Sequence, residues 1–267
     1  MSDSLIRHFR LTAHPFGRDA APAALHRHRG FLEASERLRY TIELDGLSAL
    51  VAEPGCGKSL LLGHVAAEQQ KLGTQVHYLA HSTVGPFGLL NVLLRKLGQS
   101  PRRSRAETAA CISQAMLEDK RKHLLILDEA HILPDATLED VRLLTIADFD
   151  RRSPFVLILA GHPCLDDRLA EPTHHALDQR ITTLARLGPL SLDETREYVT
   201  LRLCACGARA QPLFDDDAVT ALFDGSAGVP RRLNRIASAA MIVAASRKKQ
   251  LVSAQDVLDA RLDRGRS

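Results

Sequence analysis

No apolar run in the 267 residues approaches the ~18 that a membrane-spanning helix requires. The N-terminus also lacks the apolar stretch of a secretion signal. Neither membrane insertion nor export is expected, so the chain reads as soluble and cytoplasmic, with no membrane partner. Cysteine is scarce: Cys56, Cys111, Cys164, Cys204 and Cys206 include no CxxC pair. An odd number at scattered spacing argues against a disulfide framework and for reduced thiols. Cys204-Ala-Cys206 lies in an amphipathic stretch without a second pair of ligands, which favours packing over metal. Charge of one sign is nearly lacking too, since 35 Lys and Arg against 32 Asp and Glu leave +3. That balance excludes a polycation, and any nucleic-acid surface must be a local patch. The length suffices for one large or two modest domains with a substantial core.

What the chain does hold is a glycine-bearing turn in a telling place. The apolar run 47–51 leads into Ala52-Glu53-Pro54-Gly55-Cys56-Gly57-Lys58-Ser59, and 60–65 reads as a helix start. A strand, such a turn, then Lys-Ser at a helix N-terminus is the layout of a phosphate-binding P-loop. Backbone N–H groups must point at a polyphosphate, which needs glycine where side chains would clash. The helix N-terminus adds partial positive charge and Lys58 a full one. Glu53, Pro54, Gly55, Cys56, Gly57, Lys58, Ser59 and Leu60 are therefore the expected cradle for ATP, and the Ser59 hydroxyl a ligand for Mg²⁺. Ala52 stands where the motif has its first glycine, which is tolerable at negative φ.

His123-Leu-Leu-Ile-Leu-Asp-Glu-Ala-His131 is the second motif: a buried strand with carboxylates at its C-terminal end, where ligands sit in open α/β sheets. Asp128 is placed to hold the Mg²⁺ that Ser59 also touches, and Glu129 to polarise the attacking water. The letters Asp-Glu-Ala-His also spell a helicase box, but that reading needs two motor domains, for which 267 residues are too few. A further apolar strand over 154–160 ends near His162. This histidine could orient the water or sense the γ-phosphate; it could equally be a satisfied structural residue.

The rest organises around these motifs. Residues 1–30 are basic, with Arg7, Arg10, Arg18, Arg27 and Arg29 against Asp3 and Asp19 only, and read as an extended arm over the first domain. Helices are expected over 31–44, from Pro86 to about 97, from the Ser104/Glu107 capping box to about 120, and from Pro134 to about Phe149, with strands near 76–80 and 183–187. After Gly188-Pro189 everything reads helical: about 192–206, 216–224, 230–246 and 254–263. Asp215 and Ser253 are the expected N-caps, and Gly207 and Gly225 the stops. The expected fold is α/β, a three-layer αβα domain with a parallel sheet over 31–189, followed by a small all-helical lid over 190–267. Between the helices ending near 97 and starting at 105, Arg95, Lys96, Arg102, Arg103 and Arg105 stand without an acid. This run is either a solvated surface or a phosphate-tracking loop. Arg231, Arg232 and Arg235 follow Pro230 at a helix start, where cations oppose the helix dipole. An anionic partner such as a nucleotide's terminal phosphate accounts for them.

With these residues in view, the chain resembles AAA+ ATPases of the group containing the secretion ATPase ExeA and the transposition regulators TniB, TnsC and Mu B. The likeness rests on His14-Pro-Phe16, the P-loop, 124–131, Ala160-Gly-His-Pro163, Asp178-Gln-Arg-Ile181 and Gly228-Val-Pro-Arg-Arg-Leu-Asn-Arg235. It departs at Ala52 and in having a histidine at sensor 1. The resemblance implies Mg²⁺-dependent ATP hydrolysis, His162 as sensor 1 and Arg231 as sensor 2. It also implies Arg180 as the finger offered to a neighbouring subunit, with Arg168 and Arg186 as fallbacks. ExeA-type proteins carry a membrane span and a cell-wall-binding region after the ATPase; neither is found before residue 267. The expectation is therefore a transposition regulator that forms a homo-oligomeric ring or filament on double-stranded DNA and recruits or stimulates a transposase. The group's DNA-facing loops map to His81-Ser-Thr83 and Lys96–Arg105, so DNA contacts are expected from Thr83, Lys96, Arg102, Arg103 and Arg105. Three alternatives stay open: an ExeA-like secretion ATPase, a nucleotide switch or scaffold that hydrolyses little, and a small-molecule kinase. A kinase would want an acceptor-binding lid inserted in the first domain.

Overall fold

The computed structural model of the chain describes residues 2–17, 25–80, 86–100, 102–146, 153–208 and 212–262. The first elements are α1 (Ser2–Phe9), α2 (Arg29–Glu43), β1 (Leu47–Ala52), α3 (Lys58–Lys71), β2 (Gln75–Leu79), α4 (Pro86–Lys96), α5 (Arg105–Glu118) and β3 (His123–Leu127). They are followed by α6 (Asp135–Leu144), β4 (Val156–Gly161), α7 (Cys164–Leu169), α8 (His175–Asp178) and β5 (Ile181–Leu187). Four helices complete the chain: α9 (Leu192–Ala205), α10 (Asp216–Ser226), α11 (Pro230–Ser246) and α12 (Ala254–Leu262). Two compact units result, an α/β unit of Gly30–Pro54 and Lys58–Leu187, and a helical unit of Met1–Arg29, Gly55–Gly57 and Gly188–Ser267.

The α/β unit is built on a parallel sheet in the order β2-β3-β4-β1-β5. The three inner strands are buried at every position, because helices cover both faces; hence their almost unbroken apolar sequences. The edge strands β2 and β5 alternate instead. Leu125, Leu127, Leu157 and Leu159 pack with Leu90, Leu93 and Leu94 of α4, Ile112 and Met116 of α5, and Leu138 and Val141 of α6. From β1 the chain crosses to the far edge at β2 and returns through β3 and β4 to β1's other side. The strand order thus reverses between β1 and β4, where ligands bind in open α/β sheets. The expected caps form: Ser104 Oγ accepts from Glu107 N–H at 3.1 Å. The helix α6 ends earlier than the run to 149, since the Thr145 hydroxyl turns back to the Arg142 carbonyl (2.6 Å). Residues 147–150 lie outside the described residues.

In the helical unit, α9 to α12 fall within two residues of the expected segments. Ser191 and Glu194 form the full capping box, and Asp215 caps α10. Gly207 is a left-handed stop (φ +80°), but Gly225 lies inside α10. That helix ends at Ala227 (φ 50°), because Gly228 follows so close to Leu190 that a Cβ there would lie 2.0 Å from its carbonyl oxygen. The N-terminal segment is not an extended arm over the α/β unit. Residues 2–9 are helical, and Leu5 and Phe9, one turn apart on one face, are buried with Leu11 and Phe16 among Leu203, Val219, Leu222, Leu233 and Met241. Arg202 fixes the following turn by donating to the carbonyls of Pro15 (2.6 Å) and Gly17 (2.9 Å).

The start of α12 depends on Asp256, whose side chain is fully buried. Its carboxylate accepts from Ser253 N–H (3.1 Å) and Oγ (2.7 Å), Lys249 Nζ (3.0 Å) and Arg247 Nη1 (2.7 Å). Burial alone would raise its pKa; the bonds from Ser253, Lys249 and Arg247 outweigh that and bring it to about 2. A carboxyl whose pKa is depressed on folding stabilises fully above its unfolded value of ~3.9, and the contribution is lost as pH falls towards the folded one. Asp256→Ala is expected to destabilise by about 2 kcal/mol or more at neutral pH. In urea unfolding followed by circular dichroism, the difference from wild type should shrink as pH is lowered through about 4.

Candidate nucleotide site

Three short segments meet at the C-terminal ends of β1, β3 and β4. Ala52 is the last residue of β1, buried and extended, so its methyl group meets no steric objection and the departure from the glycine motif is explained. The turn that follows needs Gly55 (φ +97°) and Gly57 (φ +105°), values that residues with a Cβ rarely adopt. Glu53 and Pro54 are exposed in this turn, Cys56 is buried, and Ser59 and Leu60 are exposed on the first turn of α3.

Lys58 opens α3, is 9% exposed, and donates to Asp128 Oδ1 and to Glu129 Oε1 (2.6 Å). Asp128 sits just past β3, tied back by its N–H to the Leu79 carbonyl (2.9 Å). Its Oδ2 accepts from Tyr78 (2.7 Å), and its Oδ1 also accepts from Glu129 N–H (2.9 Å). Burial works against its ionisation, yet the bonds from Lys58 and Tyr78 hold its carboxyl below the usual range. Burial and the bond to Asp128 push the Tyr78 phenol up, so it stays a donor. Glu129 adopts left-handed backbone (φ 56°, ψ 34°), a conformation that costs about 1–2 kcal/mol and is concentrated at functional sites. Its Oε2 lies 3.7 Å from His131 Nδ1 and 3.7 Å from His162 Nε2. His162, just beyond β4, stacks on His131 at 4.1 Å between ring centroids. The donor set fits Mg²⁺ through hard oxygens, the Ser59 hydroxyl and the Asp128 carboxylate. Lys58, Asp128, Glu129 and His162 are therefore brought together, as their sequence positions promised.

The other expected residues are more dispersed. Arg180, between α8 and β5, donates to Thr145 Oγ1 (3.0 Å). Arg168 is paired with Asp135 and bonds the His131 carbonyl (3.0 Å), and Arg186 is paired with Asp166 (2.5 Å). Within the helical unit, Arg231 N–H donates to the Gly55 carbonyl (3.2 Å). A Cβ on Gly55 would come within 2.8 Å of Arg231 Cβ, so this glycine is required by close approach as well as by φ. Tyr78 and His131 were given no role in the sequence. Tyr78 could have been found by its place beside Asp128 in neighbouring strands; His131 lay inside the motif itself.

The basic run changes on folding. Lys96, Arg102 and Arg103 are exposed, and Lys96 and Arg102 line a cavity of 440 Å³ that Glu118 and Asp119 also line. Arg102 Nε donates to Cys111 Sγ at 3.3 Å. Arg105 is occupied: its guanidinium pairs with Asp140 (Nε to Oδ2, 2.6 Å) and bonds the Ala136 carbonyl (3.2 Å), an acid 35 residues away that the run itself did not reveal. Thr83 lies outside the described residues.

Residues 42–169 match the protein family described as AAA domain. The α/β unit has the P-loop AAA+ fold. The fold is that of an ATP-hydrolysing enzyme. General secretion pathway protein A of Aeromonas hydrophila is 29% identical over 257 residues, covering 93% of this chain and 46% of that protein, so the chain spans under half of this relative's length. Among solved structures, Drosophila ORC bound to DNA matches with a TM-score of 0.68 at 20% identity, over 96% of this chain and 65% of that one. The ORC2 protein of Aeropyrum pernix, in ADPNP-ADP complexes, matches with a TM-score of 0.68 at 17% identity, over 94% and 71%. These two likenesses carry the AAA+ fold across both units. Among the described residues, no helix is long and apolar enough to cross a membrane.

Lys58 and Glu129 are expected to have separable roles at a P-loop of this layout. Lys58→Ala should abolish nucleotide binding by removing the charge on the phosphates. Glu129→Gln should keep ATP bound while slowing its cleavage ~10²-fold or more. Fluorescent-nucleotide titration and phosphate release measure the two effects, and equal loss of binding in both variants would overturn the division of roles.

Proposed function

We propose that the chain is a Mg²⁺-ATP-dependent regulator of transposition that assembles as a ring or filament on double-stranded DNA and recruits or activates a transposase. The observation that carries the chemistry is Lys58 held between Asp128 and Glu129 at the sheet's switch point. On nucleotide binding, Lys58 exchanges these carboxylates for the β- and γ-phosphates. Asp128 is then available, with Ser59, for Mg²⁺, and Glu129 for the attacking water. Bound Mg²⁺ supplies neutralisation of the charge that develops on the phosphates. His162 and Arg231 report the γ-phosphate, and Arg180 completes a neighbouring subunit's site. Exposed Lys96, Arg102 and Arg103, repeated along an oligomer, track the DNA backbone; the DNA-bound state of the ORC relative supports a DNA-associated role. A second reading, a secretion-associated ATPase, is favoured by the similarity to General secretion pathway protein A over 93% of the chain.

Two measurements test this reading. Arg180→Ala should bind ATP normally yet lose ~10³-fold or more in turnover. Mixed with Lys58→Ala, which keeps its finger but has a dead pocket, it should recover part of its activity at shared interfaces. Absence of rescue at every ratio would argue for another finger or a monomeric site. DNA binding should be sequence-tolerant and need ATP, with a contribution of roughly −0.9 per phosphate contact to the slope of log K against log salt. Replacing Lys96, Arg102 and Arg103 with alanine should flatten that slope, while Arg105→Ala should change it less, because Arg105 is held by Asp140. Anisotropy titrations with ATP, ADP and no nucleotide decide it; affinity indifferent to both nucleotide and substitution would leave the secretion reading in place.

A further inference from the structure

Glu129, His131 and His162 bring three ligand-type atoms to one place in the α/β unit. Glu129 Oε2, His131 Nδ1 and His162 Nε2 all lie within 4.8 Å of one another, with 3.7 Å from the oxygen to each nitrogen. In a tetrahedral zinc site, bonds of about 2.0–2.1 Å set neighbouring ligands roughly 3.3–3.5 Å apart. Each oxygen–nitrogen separation is thus a few tenths of an ångström beyond that of two atoms sharing one ion. His131 Nδ1 is buried and has no hydrogen-bond partner among the described residues, although buried imidazole nitrogens ordinarily have one. The absence of a side chain at Gly161 keeps the space beside it open, since a Cβ there would lie 3.2 Å from that nitrogen. The rings stack at 4.1 Å with 18° between their planes, so they turn out of that stack for both in-plane lone pairs to meet one ion.

We propose that Glu129, His131 and His162 form a site for a borderline divalent transition-metal ion, Zn²⁺ foremost, and that its occupancy withdraws Glu129 from the attacking water and switches hydrolysis off. Two imidazoles and one carboxylate suit Zn²⁺, Co²⁺ or Ni²⁺, whereas Mg²⁺ selects oxygen donors. The two cation sites are therefore distinguished by chemistry even though they neighbour each other. Electrostatics permits a second cation: Asp128 and Glu129 carry two negative charges against the single positive charge of Lys58. The carboxylate can also serve both, because Lys58 holds Oε1 (2.6 Å) and the histidines face Oε2. Three protein ligands leave a fourth position for water. The inhibitory half of the proposal rests on Glu129 acting on the water; the site itself does not.

Binding is read first, on the full chain without nucleotide, by titration with Co²⁺. Visible d–d absorption should appear without the charge-transfer band of a thiolate ligand, should be displaced by Zn²⁺, and should persist in excess Mg²⁺. His131→Gln and His162→Gln should each weaken Co²⁺ binding by more than the ~10–100-fold that loss of an outer-shell partner costs. Circular dichroism checks their folding, and the half-exposed His162 decides the matter if His131→Gln does not fold. ATP turnover in saturating Mg²⁺ should then fall with added Zn²⁺ and return with a chelator, and the Zn²⁺ needed should rise in the His131→Gln chain by the factor seen in binding. A Co²⁺ spectrum unchanged in both variants, or dominated by thiolate, overturns the site. Binding without inhibition overturns the regulatory role. A chain that hydrolyses no ATP even in the absence of Zn²⁺ overturns both hydrolysis and its inhibition, while the nucleotide-free titration still decides the site.

Discussion

A lysine that is nine-tenths buried is tolerable only where opposite charge meets it, and Lys58 meets two carboxylates at once. Much of the α/β unit follows from that requirement. Lys58 is placed by β1 and the glycine turn, Asp128 and Glu129 by β3, and the two strands are separated by β4. The acids reach the lysine because all three strands are parallel and end together at the point where strand order reverses. Tyr78 on β2 satisfies the second oxygen of Asp128, so the outer strand also contributes to one small electrostatic knot. Such an arrangement is provisional by construction. Phosphates can replace the carboxylates around the lysine, whereas an apolar residue at position 58 would leave two acids facing each other.

The helical unit answers to a different constraint, close approach of backbone. Gly228 passes Leu190 with no room for a Cβ, and Gly55 lies against Arg231 on the same terms. Neither glycine is chosen for flexibility. Each marks a place where one main chain must touch another segment, and between them they fix where the start of α11 sits in that unit.

What could be read from the chain was whatever is written over short distances. The turn at 53–57, the acids ending a run of four apolar residues, the N-cap at Ser104 and the capping box at Ser191 are all local patterns, and all formed. So did the four C-terminal helices, whose boundaries are set by caps within a few residues. The misses share a cause. Arg105 was grouped with its neighbours in sequence, but Asp140 on α6 claims it. Leu5 and Phe9 look like two apolar residues in a basic segment until the core of the helical unit supplies their partners. Gly225 resembled a stop, yet the helix runs past it because the constraint acts three residues later. Each error concerns a contact between residues distant in sequence, about which local periodicity carries no information.

The burial of Leu5, Phe9, Leu11 and Phe16 with α9 to α12 has a topological meaning. The helical unit draws on segments from both sides of the α/β unit in sequence, with residues 5–16 and α9 to α12 sharing one core. A fragment cut at Gly188 would be a helical body missing four of its own core side chains, so the domain boundary read from the sequence is a poor place to separate the protein.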